Sequence, residues 1–301
     1  MPLLVTGSIA IDTVTTPYGV SEECLGGSAV YFCMAASFFS PVRLIGVVGA
    51  DCPFDLPGVF KGKDVDLRGL EVRLNSKTFR WKGSYYSTMN EAITDKLELN
   101  VLQETPPSIP TEFRDSKFVF LANTAPALQM QLLAQVHSPI FVAADTMNCW
   151  IHNEREDLEK LLKKINALII NEDEARMLAC EPILTRAADK ILAMGPDVVV
   201  IKKGESGSIM RNKAGETFLL PAFPATEVKD PTGAGDSFAG AFMGCVAQAG
   251  KSDFETLKKA VAYGTVTASY TIADFSLDAL TSITRADIDK RMKALQKITH
   301  F

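Results

Sequence analysis

Short apolar segments alternate with amphipathic ones along most of the chain, and this alternation restricts the fold more than any other feature. Buried parallel strands consist of short apolar runs, whereas the helices between them carry apolar residues three and four positions apart. Residues 157–165 show the helical spacing, with charged residues between the leucines and the isoleucine. The sequence therefore predicts an α/β fold: a doubly wound, largely parallel sheet flanked by helices.

The same patterns locate the individual elements. The predicted strands are Leu3–Thr6, Val42–Gly46, Lys117–Leu121, Ile140–Ala144, Ala167–Asn171 and Val198–Lys202. The predicted helices are Ser28–Phe38, Glu154–Ile165, Glu172–Ala179, Thr185–Met194, Gly235–Ala249, Phe254–Tyr270 and Arg285–Lys297. Because doubly wound sheets bind ligands beyond the carboxyl ends of their strands, functional residues are expected directly after these strands.

Two regions depart from the α/β alternation. Residues 77–86 alternate between aromatic and polar side chains, and residues 95–102 repeat the alternation with leucine and valine. Together with short segments near the N-terminus they predict a small second sheet, with strands from about 12–24 and 77–102. We expect this sheet to be inserted in a single α/β domain that covers residues 1–301.

Composition and charge exclude several functions. The 301 residues carry a formal net charge of −5, which gives no basic surface for nucleic acid. The longest apolar run, Val30–Phe39, is too short to span a bilayer and contains Ser37. The N-terminus lacks the basic and apolar regions of a signal peptide. These observations predict a cytoplasmic protein that binds neither nucleic acid nor membranes.

The strongest functional signal lies in DPTGAGDSFAGAF, residues 230–242. Gly233, Ala234 and Gly235 have almost no side chain, so an anion can approach the backbone N–H groups where a helix begins. Asp236 lies in the same turn, where the helix dipole favours an ionised carboxylate. Such a carboxylate can take the proton from a substrate hydroxyl while the amides hold the phosphoryl group that the hydroxyl attacks. A loop with an ordinary helix N-cap is the alternative.

This segment resembles the C-terminal signature of the ribokinase family, also called the PfkB carbohydrate kinases. The resemblance extends over almost the whole chain, in the order GxxxxD, GG, NxxE, KKG and GAGD. It implies a ribokinase-like fold in which the small sheet is a lid over the acceptor site. It also implies ATP-dependent transfer of a phosphoryl group to a primary hydroxyl of a small sugar or sugar-like molecule, with Asp236 as the general base.

The acceptor side is expected at two N-terminal motifs. Asp12 closes GSIAID after the first strand, where an acid can accept hydrogen bonds from two neighbouring sugar hydroxyls. It is similar to the substrate-binding Asp of the family, although an Asp at this place is also typical of a turn. Gly26 and Gly27 precede a helix and let a ligand approach the backbone, unless they only form the entry to that helix.

The resemblance implies a magnesium site at Asn171 and Glu174 in NEDE. They would hold hydrated Mg²⁺ largely through its waters, which suits an ion that prefers oxygen ligands and keeps several waters. From the residues alone, a helix N-cap followed by favourably placed acids explains the segment as well.

Nucleotide binding is expected at IKKGESG, residues 201–207. The glycines of this segment would let ATP lie against the backbone, and one of its two lysines would face the phosphates, although a solvated strand end is the alternative. The adenine is expected between this segment and the helix that contains a later glycine. The residues concerned are Lys202, Lys203, Gly204, Gly207 and Gly264.

Two further expectations come from the resemblance. Family members often bind potassium beside the anion-binding turn, here at Asp230 and Thr232 together with carbonyl groups of residues 271–276. A cap of the loop is the alternative role for Asp230. We also expect a homodimer formed through the lid.

The chain departs from the family on the acceptor side. Tyr31 stands where sugar kinases of the family commonly have Asn, and DTMNCW, residues 145–150, lacks the Arg of the frequent DxNxR pattern. A nucleoside kinase is the alternative within the family, because the ribose of a nucleoside offers the same 5′-hydroxyl. Phe79, Trp81 and Tyr85 could stack a base or form the core of the lid itself. A dinucleotide-dependent oxidoreductase is disfavoured because no GxGxxG follows the first strand. A sensor without turnover is disfavoured by the catalytic motifs.

Overall fold

A sheet of nine strands forms the centre of the structure, a computed structural model that describes residues 1–86, 89–90 and 92–300. Within those residues the strands are β1 Leu3–Thr6, β2 Ala10–Thr16, β3 Gly19–Gly26, β4 Val42–Gly49, β5 Val65–Arg73, β6 Phe79–Ser84, β7 Ile93–Glu98, β8 Phe118–Leu121, β9 Phe141–Ala144, β10 Ala167–Asn171, β11 Val198–Lys202, β12 Ser208–Asn212 and β13 Thr217–Leu220. The α-helices are α1 Ser28–Ala36, α2 Leu56–Val59, α3 Pro126–Leu133, α4 Asn148–Asn153, α5 Arg155–Leu162, α6 Glu172–Ala179, α7 Leu184–Met194, α8 Ala234–Ala249, α9 Phe254–Thr271, α10 Asp278–Thr281 and α11 Arg285–Thr299.

The large sheet has the order β13-β12-β11-β10-β9-β8-β1-β4-β5. The seven strands from β11 to β5 pair in parallel, and β12 and β13 extend the sheet as an antiparallel hairpin. Its two faces support separate hydrophobic clusters, one with α1, α8 and α9 and the other with α5, α6 and α7. This arrangement confirms the predicted doubly wound, largely parallel sheet flanked by helices.

The predicted central strands are confirmed within one residue, except that β4 continues to Gly49. Every residue of β1, β8 and β9 is buried, which explains why these strands appear in the sequence as continuous apolar runs. The edge strand β5 was missed by sequence reasoning. It is mostly half-buried or exposed, so it lacks such a run.

Helix α1 positions the helix that carries the GAGD motif. All nine of its residues are buried, and the Phe32 ring stacks on Phe120 with the ring centroids 4.5 Å apart. A Cβ at Gly240 of α8 would lie 2.4 Å from the Phe32 carbonyl oxygen. Glycine at this position therefore lets α8 pack directly on the backbone of α1. None of the described helices is both long enough and apolar enough to cross a membrane.

The second sheet has the order β3-β2-β6-β7 and corresponds to the predicted lid. Its strands lie within or near the predicted segments, but the prediction of a strand as far as residue 102 was wrong. Residues 100–103 form a 3₁₀ helix instead. Asn100 adopts a positive φ of 46°, and its side-chain amide donates a 2.8 Å hydrogen bond to the Thr78 carbonyl oxygen, so the chain turns there.

Candidate active site

The predicted site residues gather where several parallel strands end. Asn171 ends β10 and Lys202 ends β11, and the two are register partners in the sheet. Helix α8 begins at Ala234 near the same edge, which places Asp236 in its first turn. The fold therefore gathers residues from three separate motifs at the edge where ligands bind in such sheets.

Gly233 shapes the start of α8. Its φ of +73° and ψ of 0° lie in the left-handed region, which glycine enters without steric cost, and no side chain caps the helix among the described residues. The Ala234 N–H donates to the Pro231 carbonyl oxygen at 3.2 Å, so this amide closes the turn. Of the three predicted anion-binding residues, Ala234 thus has a structural partner in the described chain. The turn remains a candidate cradle for a phosphoryl group.

Lys202 is the lysine that reaches this turn. Its Nζ lies 2.7 Å from the position that a Cβ would occupy at Gly235. Burial raises the pKa of Asp236, and the positive charge of Lys202 opposes that shift. A carboxyl group with a raised pKa beside an ammonium group is a typical arrangement for a general base. Lys203 instead takes part in the adjoining turn, where its N–H donates to the Gly207 carbonyl oxygen at 2.7 Å.

Asp12 lies against the backbone of Gly26. A Cβ at Gly26 would come within 1.8 Å of Asp12 Oδ2, so only glycine leaves room for this carboxylate. Asp12 is 4% exposed, and its Oδ1 has no hydrogen-bond partner among the described residues. Burial raises the pKa of Asp12 to about 8, and the negative charges of Asp230 and Asp236 act in the same direction. A buried acceptor atom without a partner can accept a hydrogen bond from a hydroxyl group of a ligand.

Gly27 fixes the entry to α1. Its φ is +97°, and a Cβ there would lie 2.5 Å from the Ser8 carbonyl oxygen. The Ala29 N–H donates to that same oxygen at 3.0 Å. The Gly27 conformation thus brings the start of α1 beside the loop after β1, so the alternative role as a helix entry is present, and acceptor binding by Gly27 stays a prediction.

Asp230 and Thr232 form a compact turn before α8. Asp230 Oδ1 accepts the Thr232 N–H at 2.9 Å, whereas the buried Oδ2 has no partner among the described residues. Burial raises the pKa of Asp230, and the hydrogen bonds from Thr232 oppose the shift. The backbone N–H of Asp230 donates to the Ile272 carbonyl oxygen at 3.3 Å, which places the turn beside the later loop predicted to share a cation.

Asn171 and Glu174 cap helix α6 reciprocally. Asn171 Oδ1 accepts the Glu174 N–H, and Glu174 Oε2 accepts the Asn171 N–H, both at 2.8 Å. The helix-capping role considered from the sequence is therefore present. Glu174 is buried, which raises its pKa, while Lys202 opposes the shift. A role in metal binding is compatible with this geometry, because a hydrated ion needs few direct protein ligands.

Asp145 is the site residue that sequence reasoning missed. It follows β9 and is 8% exposed, and its Oδ1 has no partner among the described residues. Burial raises its pKa well above the usual range; Asp236 raises it further and Lys202 opposes the shift. The sequence signal for Asp145 is its position: it is an acid directly after a buried strand and the first residue of DTMNCW.

The predicted nucleotide residues have different surroundings. Gly204 and Gly207 adopt positive φ values of 52° and 85°, and the turn between them follows β11 directly. Asn90 Oδ1 lies 3.2 Å from the Cβ position of Gly204, so the loop between β6 and β7 reaches this segment. Gly264 is buried between helices α9 and α8, where a Cβ would lie 2.9 Å from the Phe238 ring. Its direct role is therefore close helix packing, and adenine binding near it stays a prediction.

A doubly wound sheet with a small lid and an acid at a glycine-rich helix start defines a fold shared with known kinases. The structure of a nucleoside kinase from Methanocaldococcus jannaschii, an archaeal member of the ribokinase family, aligns with a TM-score of 0.77 at 20% identity, covering 97% of this chain and 98% of that one. A putative ribokinase II from E. coli, in complex with ATP and Mg²⁺, aligns with a TM-score of 0.76 at 18% identity over 97% of this chain and 99% of its own. These alignments confirm the predicted ribokinase-like fold.

Sequence relationships identify the family. Residues 104–282 match the family described as pfkB family carbohydrate kinase. The cytidine kinase of Thermococcus kodakarensis is 28% identical over 250 residues, which cover 81% of this chain and 87% of the relative. The chain belongs to the PfkB family of carbohydrate kinases and is a phosphotransferase with an alcohol acceptor.

Proposed function

We propose that this protein transfers the γ-phosphoryl group of ATP to a primary hydroxyl of a small, uncharged sugar or sugar-like acceptor. The observation that carries the proposal is the group formed by Asp236, Lys202 and Asp12. Asp236 lies at the start of α8 with the Lys202 ammonium beside it, and its charge acts on the buried Asp12. These neighbouring residues supply a base for the hydroxyl in Asp236, a cation for phosphate in Lys202 and a hydrogen-bond acceptor for the sugar in Asp12.

In the proposed reaction, Asp236 takes the proton of the acceptor hydroxyl as its oxygen attacks the γ-phosphorus. The bond from that phosphorus to the β,γ-bridging oxygen breaks, and ADP leaves with the bond's electron pair. Lys202 serves this step by favouring the ionised form of Asp236. The amides of Gly233 and Gly235 stabilise the charge on the transferred group, and the Ala234 N–H, which donates to the Pro231 carbonyl oxygen, holds the turn in shape for them. Loss of one such donor typically costs about 3 kcal/mol of barrier.

Magnesium is the metal that the donor set fits. Glu174 and Asn171 offer oxygen atoms beside Lys202, and Asp145 adds a buried oxygen without a partner among the described residues. Mg²⁺ prefers oxygen ligands and keeps several waters, so these few oxygens suffice for a hydrated ion. When bound with ATP, Mg²⁺ would neutralise charge on the phosphate oxygens.

The charges on the acceptor side favour an uncharged substrate. Burial raises the pKa of Asp12, Asp230 and Asp236 raise it further, and among the described residues no lysine or arginine opposes that shift. A phosphorylated sugar would bring negative charge into a site where burial and two neighbouring acids already disfavour the ionised form of Asp12. A neutral polyol instead supplies the hydroxyl donor that Asp12 Oδ1 lacks.

A nucleoside acceptor is the second candidate, and Trp81 is the observation that favours it. Asp12 and Trp81 are register partners on β2 and β6, so their side chains share one face of the lid. The half-buried indole could stack a base while Asp12 binds the ribose. The similarity to a cytidine kinase gives this candidate further support.

A potassium site at Asp230 and Thr232 is part of the proposal. The buried Asp230 Oδ2 lacks a partner among the described residues, and the hydrogen bond from the Asp230 N–H to the Ile272 carbonyl oxygen holds the later loop beside the same turn. A monovalent cation there would hold the backbone before α8 without contacting substrate. It would thereby preorganise the amides of the cradle.

Four broader expectations remain proposals. The lid strands come from segments inserted between β1 and β4 and between β5 and β8, which supports one kinase domain over residues 1–301. Val20, Ile93 and Leu97 are exposed apolar residues on the edge strands of the lid, which supports a homodimer through it. Six unpaired cysteines suit the cytoplasm. The net charge of −5 argues against nucleic acid as a partner.

The test is a panel of sugars, sugar phosphates and nucleosides, each assayed for acceptor-stimulated release of ADP from MgATP. We expect stimulation by neutral acceptors and none by phosphorylated ones. The Trp81→Leu variant separates the two candidates, because it should raise KM for a nucleoside far more than for a free sugar. If only phosphorylated sugars stimulate ADP release, the proposed acceptor class is wrong.

A further inference from the structure

The turn formed by Thr232 and Gly233 contacts two tyrosines that lie far away in the sequence. Tyr31 belongs to α1, the helix that begins directly after the Gly26–Gly27 pair. Tyr85 follows the last residue of lid strand β6. Both tyrosines thus come from elements of the acceptor side. The turn itself leads into the first turn of α8, which carries Asp236.

Tyr31 supports the turn with its ring. Its Cγ, Cδ1 and Cδ2 atoms lie 2.4, 2.4 and 2.5 Å from the position that a Cβ would occupy at Gly233. Nearly equal distances to three adjacent ring atoms mean that the ring presents its face to the glycine. Tyr31 is 1% exposed, so surrounding atoms hold the ring in place. A side chain at position 233 would push the turn away from α1.

Tyr85 contacts the turn through its hydroxyl. The Thr232 hydroxyl donates a hydrogen bond to Tyr85 Oη at 3.2 Å, between residues 147 positions apart. The Tyr85 N–H donates to the Thr15 carbonyl oxygen at 2.8 Å, so the residue is fixed to β2, the strand that carries Asp12. The hydrogen bond therefore connects the lid with the backbone before α8.

Both phenols stay neutral at physiological pH. Burial raises the pKa of Tyr31 and of Tyr85 well above the usual range, and the carboxylates of Asp230 and Asp12 act in the same direction. Neutral hydroxyls add no charge to a site that already contains several acids. Packing and hydrogen bonding are therefore the means by which these two residues act.

We propose that Tyr31 and Tyr85 are positioning residues that hold the Thr232–Gly233 turn through two separate contacts and so align the start of α8 with the acceptor site. This inference rests on the proposed roles of Asp236 and the adjacent amides. Asp236 can take a proton only if its carboxylate lies within hydrogen-bond reach of the acceptor hydroxyl. The two tyrosines connect the elements that carry Asp12 with the element that carries Asp236.

The first experiment measures amide hydrogen exchange of residues 232–237 in the protein without ligands. Tyr85→Phe removes the hydroxyl and Tyr31→Leu removes the ring face, and each should speed exchange in this segment by roughly five-fold, as expected for the loss of one hydrogen bond or a comparable contact. Tyr270→Phe is the matched control, because its hydroxyl donates to the Asp287 carbonyl oxygen at 3.0 Å, between α9 and α11. If residues 232–237 exchange at the parental rate in both Tyr85→Phe and Tyr31→Leu, the proposal is overturned.

The second experiment separates positioning from general destabilisation. With the best acceptor of the panel, Tyr85→Phe and Thr232→Val should each lower kcat by about five-fold at unchanged KM for ATP. The double variant should lose no more than one single variant, and Thr232→Ser should restore kcat. Losses that multiply in the double variant would overturn the inference. Asp236→Asn, assayed alongside, tests the proposed function separately, because full activity there would refute the base whatever the tyrosine variants do.

Discussion

Gly26→Ala tests the acceptor site with the smallest possible change. The added methyl group would lie 1.8 Å from Asp12 Oδ2 and 2.4 Å from Asp12 Cγ. Since real Cβ atoms come no closer than about 3.0 Å, the carboxylate has to move by at least about 1.2 Å. Displacing a binding group by about 1 Å typically costs on the order of 10²-fold in rate. We therefore expect kcat/KM for the acceptor to fall by about 10²-fold.

The assay is coupled ADP release with the acceptor titrated at saturating MgATP, and then with ATP titrated. The KM for ATP should stay near the parental value, because Asp12 lies on the acceptor side. Gly58→Ala is the matched control: its methyl group would lie 2.3 Å from Asp55 Oδ2, but Asp55 is exposed and free to move. If Gly26→Ala and Gly58→Ala have the same acceptor kcat/KM, Asp12 is not an acceptor ligand. Asp12→Asn, which keeps the side-chain size, provides a second check should Gly26→Ala fold poorly.

Four further predictions concern the charged groups. Asp236→Asn should lower kcat by roughly 10²- to 10⁴-fold with ATP binding nearly intact, measured by turnover and nucleotide titration, and near-normal turnover would refute the base. Glu174→Gln should raise the Mg²⁺ concentration needed for half-maximal rate, and a titration that overlays the parental one would leave Glu174 only its capping role. Potassium should raise kcat more than an equal ionic strength of a large organic cation, and identical rates would leave Asp230 as a loop cap. The pKa of Asp12 is raised to about 8 in the folded protein, so protonation of Asp12 favours the native state at low pH. The free energy of unfolding should therefore decline as pH rises from about 4 to 8, and denaturant unfolding of Asp12→Asn should lack this decline.

Local chemistry explains which elements were predictable. Helix α6 begins where the sequence predicts, because Asn171 and Glu174 form a capping box within four residues. The central strands are buried over most of their length and so consist mainly of apolar residues. Strand β5 lacks that signature, since its residues Val65–Arg73 lie at the edge of the sheet. Asn100 ends the lid strand region through a hydrogen bond to Thr78, a contact that no pattern within residues 95–102 contains.

In the candidate site, too, local signals predicted some residues, whereas others depended on tertiary contacts. The motifs name Asp12, Asp236 and Glu174, since glycines, acids and helix starts leave local signals. The choice between Lys202 and Lys203 required the structure, because Lys202 ends β11 whereas Lys203 belongs to the next turn, and only the packing of α8 determines which of them meets Gly235.

The sequence by itself determined the family, the α/β architecture and the chemical character of the motifs, because these depend on periodicity, backbone freedom and side-chain type over a few residues. The tertiary structure alone decided which groups meet. Asp145 joins the site, and Tyr31 and Tyr85 contact one turn, although long stretches of chain separate them from α8. The pKa of a buried acid such as Asp12 likewise depends on desolvation and on charges from distant segments, and these exist only once the chain has folded.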